Sequence, residues 1–375
     1  MSLRASFASL AAVLLVPAAL GCNSASVEPI GKDTSSSTTG SSSTGGDGGG
    51  GSSASSMSTA TGSEGGSAPC SPACNDGAAC VDGTCHAITT LDTDSAAAMC
   101  AIVLDDKNVY WTASNLRRVA KAGGASTFLD FGSATQGLLV DDTYLYWTNL
   151  GVLRAKKDVA GTPGTPAGEP YAAEGGSPRH LVSDGTTIFY DDAGVVYEAP
   201  LDGTPAPQAA ATPFSEEWST GAVTPIAVDA TSVYMWTEGG VVLTKVSKAN
   251  PNSSTNIGHA GLETVTSASA VIIDGADVWF STVPVPGSGG QIAKAASPSA
   301  AVVVDGSAGA MGPFAIDATY LYFVTPAGVS RVQKSGGTPV ELVRFATPTT
   351  FPSCVAVDDS GVYFVDGGDL RRLAK

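Results

Sequence analysis

The sequence predicts an all-β fold, a seven-bladed β-propeller of four-stranded blades, and three observations carry that expectation. The first is a repeat. The pattern Asp-x3-(Val/Leu/Ile)-aromatic occurs seven times, on Asp105, Asp141, Asp184, Asp229, Asp274, Asp317 and Asp358, at spacings of 36 to 45 residues. Periods of that length belong to repeat architectures. The second is the content of each period. An apolar run ends in the Asp, a second run carries the aliphatic-aromatic pair, and a third reads like GVLRAKK (151–157) or GVSRVQKSGG (328–337). A weaker fourth run, such as PVELV (339–343), follows a Gly-rich turn. Four short strands per period make one blade. The third is composition: 45 Gly and 22 Pro in 375 residues supply tight turns and suit strands better than helices.

Taken in order, residues 1–21 have the form of an export signal, with Arg4 as the positive end and an apolar run over 5–20. The run is short for a membrane span, which wants about 20 apolar residues. Ala19-Leu20-Gly21-Cys22 resembles the bacterial lipobox, and the resemblance implies cleavage before Cys22 and a lipid on its sulfur. Several acyl chains on one cysteine suffice for stable membrane anchoring. Asn23 is not the Asp that signals inner-membrane retention in many bacteria, so an outer-membrane lipoprotein of the cell envelope is the expected localisation. Residues 22–69 hold the lipidated Cys and a Ser/Gly tract too poor in apolar surface to fold. As a flexible coil this tether reaches roughly 40 Å.

Residues 70–85 place Cys70, Cys74, Cys80 and Cys85 at spacings x3, x5 and x4. Sixteen residues cannot build a core, so the thiols are cross-linked or hold a metal. Export favours two disulfides over a four-thiolate zinc site. The segment resembles the small Cys-rich, half-EGF-like modules of secreted proteins, which implies a spacer or binding knob.

Residues 86–375 are expected to form the propeller. Five residues after each repeat Asp stands an aromatic: Tyr110, Tyr146, Phe189, Tyr234, Trp279, Tyr322 and Tyr363. A branched aliphatic precedes it and a bulky side chain follows, which reads as packing between blades. The YWT of 110–112 and YWTN of 146–149 are similar to the YWTD family of propeller repeats. That resemblance implies the architecture over 97–375 and transfers no functional residue, since the family's Asp after Tyr-Trp-Thr is missing and seven units stand where it has six. The last unit supplies three strands, so HAITTLDT (86–93) is expected to complete the seventh blade. Cys100 and Cys354 lie at matching places on innermost strands that closure makes neighbours, and are expected to form a disulfide.

A net charge of −16 argues against nucleic acid as a partner. The repeat Asp, with the recurring Lys121, Lys156, Lys157, Lys248 and Lys334, reads as turn chemistry and solvated ion pairing. The candidate ligand-binding residues are Glu216, Glu217 and Trp218, in a loop between units, with Arg179 and His180 at the start of the neighbouring innermost strand. An aromatic platform with flanking charge suits a sugar, a peptide or a cation. His86, His180 and His259 include no pair at metal-ligand spacing, and no nucleophile elbow or phosphate loop occurs. The acidic run 358–369 is interrupted by a strand pattern, which argues against calcium. The expectation is therefore a monomeric, non-enzymatic binding or scaffold module for an envelope protein or glycan, without metal or cofactor. The alternative is an extracytoplasmic lyase or hydrolase acting on glycans through the same residues.

Overall fold

A computed structural model describes residues 70–75, 77–94, 101–131, 137–172, 176, 178–192, 194–201, 212–214, 226–237, 242–259, 268–282, 290–296, 301–304, 310, 312–346 and 354–375. Residues 1–69, on which the expected export signal, lipidated Cys22 and linker fall, lie outside these residues. No helix among them is long and apolar enough to cross a membrane.

Seven antiparallel sheets form the ring. Blade 1 shows the pattern from the channel outward: Ile102–Leu104, Asn108–Thr112, Asn115–Ala120 and Thr127–Phe131. Blades 2 to 6 follow within residues 138–172, 179–213, 226–259, 268–304 and 314–344. The innermost strands touch their neighbours in sequence order, and that of blade 7 touches that of blade 1, which closes the circle.

Alternation along the second strand explains how the blades stick together. Successive side chains face opposite sides of a sheet, so Val109 and Trp111 pack toward blade 7 while Tyr110 packs toward blade 2. Leu145 and Trp147 likewise face blade 1, and Tyr146 faces blade 3. The buried core accordingly divides into seven apolar clusters, each shared by two consecutive blades. Trp111, Trp147, Trp236 and Trp279 are all fully buried there.

The repeat Asp is a turn residue, as its sequence context predicted. In six copies its Oδ1 accepts the backbone N–H groups two and three residues on, as Asp105 does from Lys107 and Asn108. The fifth copy turns differently, on Gly275 at φ 63° between the paired Asp274 and Asp277. The Oδ2 atoms of Asp105, Asp141, Asp229 and Asp317 accept the hydroxyl of the repeat tyrosine at 2.6 to 3.1 Å.

The lysines form a second, circumferential pattern. A Lys ending the third strand of one blade reaches the repeat Asp of the blade before it. The pairs are Lys157–Asp105, Lys248–Asp184, Lys334–Asp274, Lys375–Asp317 and Lys121–Asp358, at 2.5 to 3.5 Å. These pairs are partly buried rather than solvated, because neighbouring blades close over them; at Lys248–Asp184 the side chains are only 17% and 13% exposed. Lys157 rather than Lys156 makes the contact, and the C-terminal Lys375 joins the set.

Closure uses the N-terminal strand. Thr84–Thr93 pairs antiparallel with Asp369–Ala374, from Ile88 opposite Leu373 to Thr93 opposite Asp369. From this strand Asp92 accepts the Trp111 indole N–H at 3.1 Å, and Asp92 and Asp94 hold Arg117, so it is bound to blade 1 as well as blade 7. The Cys-rich segment is fused to the same blade. Ala78–Val81 pairs with the start of that strand as a fifth strand, and Ala79 and Val81 enter the core between blades 6 and 7. A boundary at residue 85 therefore falls inside a continuous strand. The knob thiols form two disulfides, Cys70–Cys80 and Cys74–Cys85. Cys354 is also disulfide-bonded; Cys100, its expected partner, lies outside the described residues.

Candidate functional site

The seven repeats act as their own control, and blade 3 departs from the others at the channel mouth. Four residues before the repeat Asp stand Ala101, Gly137, His180, Pro225, Ala270, Pro313 and Cys354; seven after it stand Thr112, Thr148, Asp191, Trp236, Ser281, Val324 and Val365. In blades 1 and 2 the threonine Oγ1 accepts the backbone N–H of the first position, from Ala101 at 2.9 Å and from Gly137 at 3.0 Å. Blade 3 puts two titratable side chains at these places. His180 Nδ1 lies 2.8 Å from Asp191 Oδ1.

The local chain is built to hold this pair. Arg179–Ser183 is the innermost strand and Thr187–Asp192 the second, with a bulge between Arg179 and Val182 where the register shifts. His180 takes φ +32°, a left-handed conformation that costs a non-glycine residue on the order of 1 kcal/mol. The strand also leans on blade 2: a Cβ at Gly137 would meet the Leu181 nitrogen at 2.8 Å and the His180 nitrogen at 3.1 Å. Glycine at 137 is what allows that approach.

Chemically this is an oriented imidazole. Asp191 is 2% exposed and His180 partly open to solvent. A buried carboxylate accepting Nδ1–H fixes the tautomer and leaves Nε2 as an acceptor. Arg179 is the backbone register partner of Asp191 across the two strands and is half-buried. Below the mouth the channel is apolar, a cavity of about 410 Å³ walled by Ile102, Leu104, Val140, Ile272, Ile316 and Val355 among others. Such walls favour burial of an uncharged group and offer it no hydrogen bonds.

The structure thus brings Arg179 and His180 together with Asp191, which sequence reasoning missed. The signal was present: an Asp stands where the first two repeats have Thr. Glu216, Glu217 and Trp218 lie outside the described residues, as do 283–289, 305–309 and 347–353. Among the described residues the one cluster with metal-ligand geometry is Cys70, Cys74 and Cys85, whose sulfurs are in disulfides.

No protein-family model matches the sequence, and no curated protein matches it. Solved structures do. The extracellular domain of a one-component system from B. thetaiotaomicron is 12% identical with a TM-score of 0.53, over 76% of this chain and 40% of that one. The WD40 domain of Neurospora crassa Pan2 is 8% identical with a TM-score of 0.52, over 76% and 95%. YCF48 bound to D1 peptide is 13% identical with a TM-score of 0.50, over 77% and 95%. At these identities the likeness is one of fold, and by fold this chain is a seven-bladed β-propeller.

Proposed function

We propose that this chain is an exported propeller, lipid-anchored through Cys22, that binds an envelope protein or glycan at the channel mouth on blade 3. The observation that carries the reading is the His180–Asp191 pair, a strained, partly buried departure from a repeat that elsewhere places small or apolar residues there. Backbone strain concentrates at functional sites. Disulfides in the Cys-rich segment support an oxidising, extracytoplasmic compartment. Capture of a peptide by YCF48, a propeller of similar fold, supports a segment of protein as the ligand. Fold analogy alone assigns no function, so the dyad is the test.

The test is cross-linking in intact cells with the wild type, His180→Ala and Trp218→Ala, followed by affinity capture and mass spectrometry. The expected result is one envelope protein recovered stoichiometrically with the wild type and lost from both variants. Equal recovery from all three would remove the mouth from consideration. An enzymatic reading, glycan cleavage by a lyase or hydrolase, draws on the same oriented imidazole. It requires turnover of envelope glycan that disappears in His180→Ala, whereas a binding module shows none in either protein.

A further inference from the structure

Six blades place a cation on the third strand opposite the repeat aromatic: Arg118, Arg154, Lys245, Lys294, Arg331 and Arg372. Two of the six are buried, Arg154 at 3% exposure and Arg331 at 8%. A buried charge wants a partner of opposite sign. Arg154 finds one in its own blade, where its register partner on the outer strand is Glu169 and Glu169 Oε1 accepts its Nε–H at 2.8 Å. The register partner of Arg331 is Val340, which offers nothing. Its carboxylate comes instead from the Cys-rich hairpin: Asp82 Oδ2 accepts from Arg331 Nη2 at 2.6 Å.

That hairpin is lightly held. Asp82 and Gly83 form its tip between the paired Val81 and Thr84, both at positive φ, the geometry of a tight two-residue turn. The strand Ala78–Val81 pairs with its hairpin partner alone, and the partner's ladder to blade 7 begins only at Ile88. Beyond Ala79 and Val81 in the core, residues 70–85 are tied down chiefly by Asp82 and by two cystines. The hairpin also supplies one wall of a cavity of about 380 Å³, where Val81, Asp82 and Thr84 face Tyr320, Arg331 and Leu342 of blade 6. Its cystines are placed to open in sequence. Cys85 is exposed, and the sulfurs of Cys70, Cys74 and Cys85 lie within 4.8 Å of one another. A thiolate that attacks Cys85 frees Cys74, whose sulfur then stands beside the second cystine.

We propose that the hairpin is a strap released by dithiol reductants, closed over the Arg331 guanidinium in the oxidised chain and lifted from it in the reduced one. Each cystine takes two electrons and two protons from a dithiol, which leaves as its own disulfide, and yields two thiols. Without its staples a hairpin of four residue pairs is a marginal element. Asp82 then leaves with it, and Arg331 keeps the Tyr320 ring, 4.1 Å from Cζ, but no carboxylate. The strap does not depend on the channel mouth and stands or falls separately from it.

Phenylglyoxal, which condenses with accessible guanidinium groups, tests this on the full chain, with adducts located by peptide mass spectrometry. In the oxidised protein Arg331 should stay protected. After treatment with dithiothreitol and anaerobic desalting its labelling rate should rise roughly tenfold or more, as for a locally opened segment. Arg154, also buried but served by Glu169 of its own blade, is the internal control and should stay protected, with the near-ultraviolet signal of the ring unchanged. The variant C70S/C74S/C80S/C85S spares the disulfide of Cys354 and should label as the reduced chain does. Asp82→Ala removes the latch alone and should raise the labelling of Arg331 with both cystines intact. Protection of Arg331 in both the reduced chain and the serine variant overturns the proposal. So does labelling in the oxidised wild type as fast as in the reduced chain, or equal labelling of Arg154 on reduction, which would mark general unfolding.

Discussion

Replacing Lys248 by Met tests whether the lysine ring holds the propeller together. Met keeps most of the apolar stem, so the change removes chiefly the ammonium. That group donates to Asp184 Oδ2 and to the Asp229 carbonyl, and lies 5.1 Å from the centre of the Phe189 ring. A partly buried ion pair is worth about 1 kcal/mol, the charged bond to the carbonyl about 1.5 and the ring contact about 0.5. Relief of the desolvation that burial imposed on the lysine returns about 1 of these. The net expectation is a loss of about 2 kcal/mol, a fall of roughly 4 °C in melting temperature for a domain of this size. Urea unfolding followed by tryptophan fluorescence measures it, and a double-mutant cycle with Asp184→Asn isolates the pair, with an expected coupling of about 1 kcal/mol. A loss under 0.5 kcal/mol with coupling near zero would refute the reasoning and return the pairs to the solvated, nearly neutral status the sequence suggested.

Acid should loosen the same ring. At Asp184, Asp229, Asp317, Asp105 and Asp358 burial raises the carboxyl pKa, but lysine, tyrosine and turn hydrogen bonds outweigh it and hold the group below the ordinary 3.8, to about 2 at Asp229. Depressed carboxyls stabilise the fold above pH 4 and lose that contribution as pH falls toward 2, so the urea midpoint should drop between pH 4 and pH 2 and stay flat from 5 to 7. Asp92→Ala strips the Trp111 indole of its acceptor and Arg117 of one of its two carboxylates at the seam, and should cost about 2 kcal/mol, read from the urea midpoint. Trp147→Ala opens a cavity between blades 1 and 2 and removes the indole bond to Asp130, for about 4 kcal/mol by the same assay. Reducing the two disulfides should unfold the segment 70–83 first, with proteolysis there preceding loss of the ring's near-ultraviolet signal.

The fold was legible because its determinants are local and repeated. Asp-turn chemistry and the Val-Tyr-Trp alternation each act within six residues, and seven copies make chance agreement implausible. Strand completion by residues 86–93 was legible by counting. The extent of burial at the lysines was not, since it depends on how far one blade overlaps the next and no spacing along the chain encodes that. Lys375 was overlooked because it ends the chain, outside the Gly-bounded turns that marked the others. The knob's merger into blade 7 rests on Ala79 and Val81 finding Leu342 and Val362, a contact between residues far apart in sequence. At the candidate site, Arg179 and His180 were singled out from strand position. Asp191 was passed over because it sits inside a strand, where a carboxylate usually faces solvent, and its bond to the His180 imidazole is a contact that spacing does not encode.

The strand that completes the last blade comes from the other end of the chain, and this sets an order of assembly. Thr84–Thr93 is synthesised early, yet its hydrogen-bonding partner, Asp369–Ala374, emerges only after the six blades between them. The strand must wait with one edge unpaired until some 280 further residues have been made. It also makes blade 7 the transmission point for force. Tension on the chain's N-terminal side passes through the cystine-stapled hairpin into this ladder, and from there into Asp92 and Asp94 at blade 1. A load applied from one end is thereby shared across the seam rather than borne by a single blade.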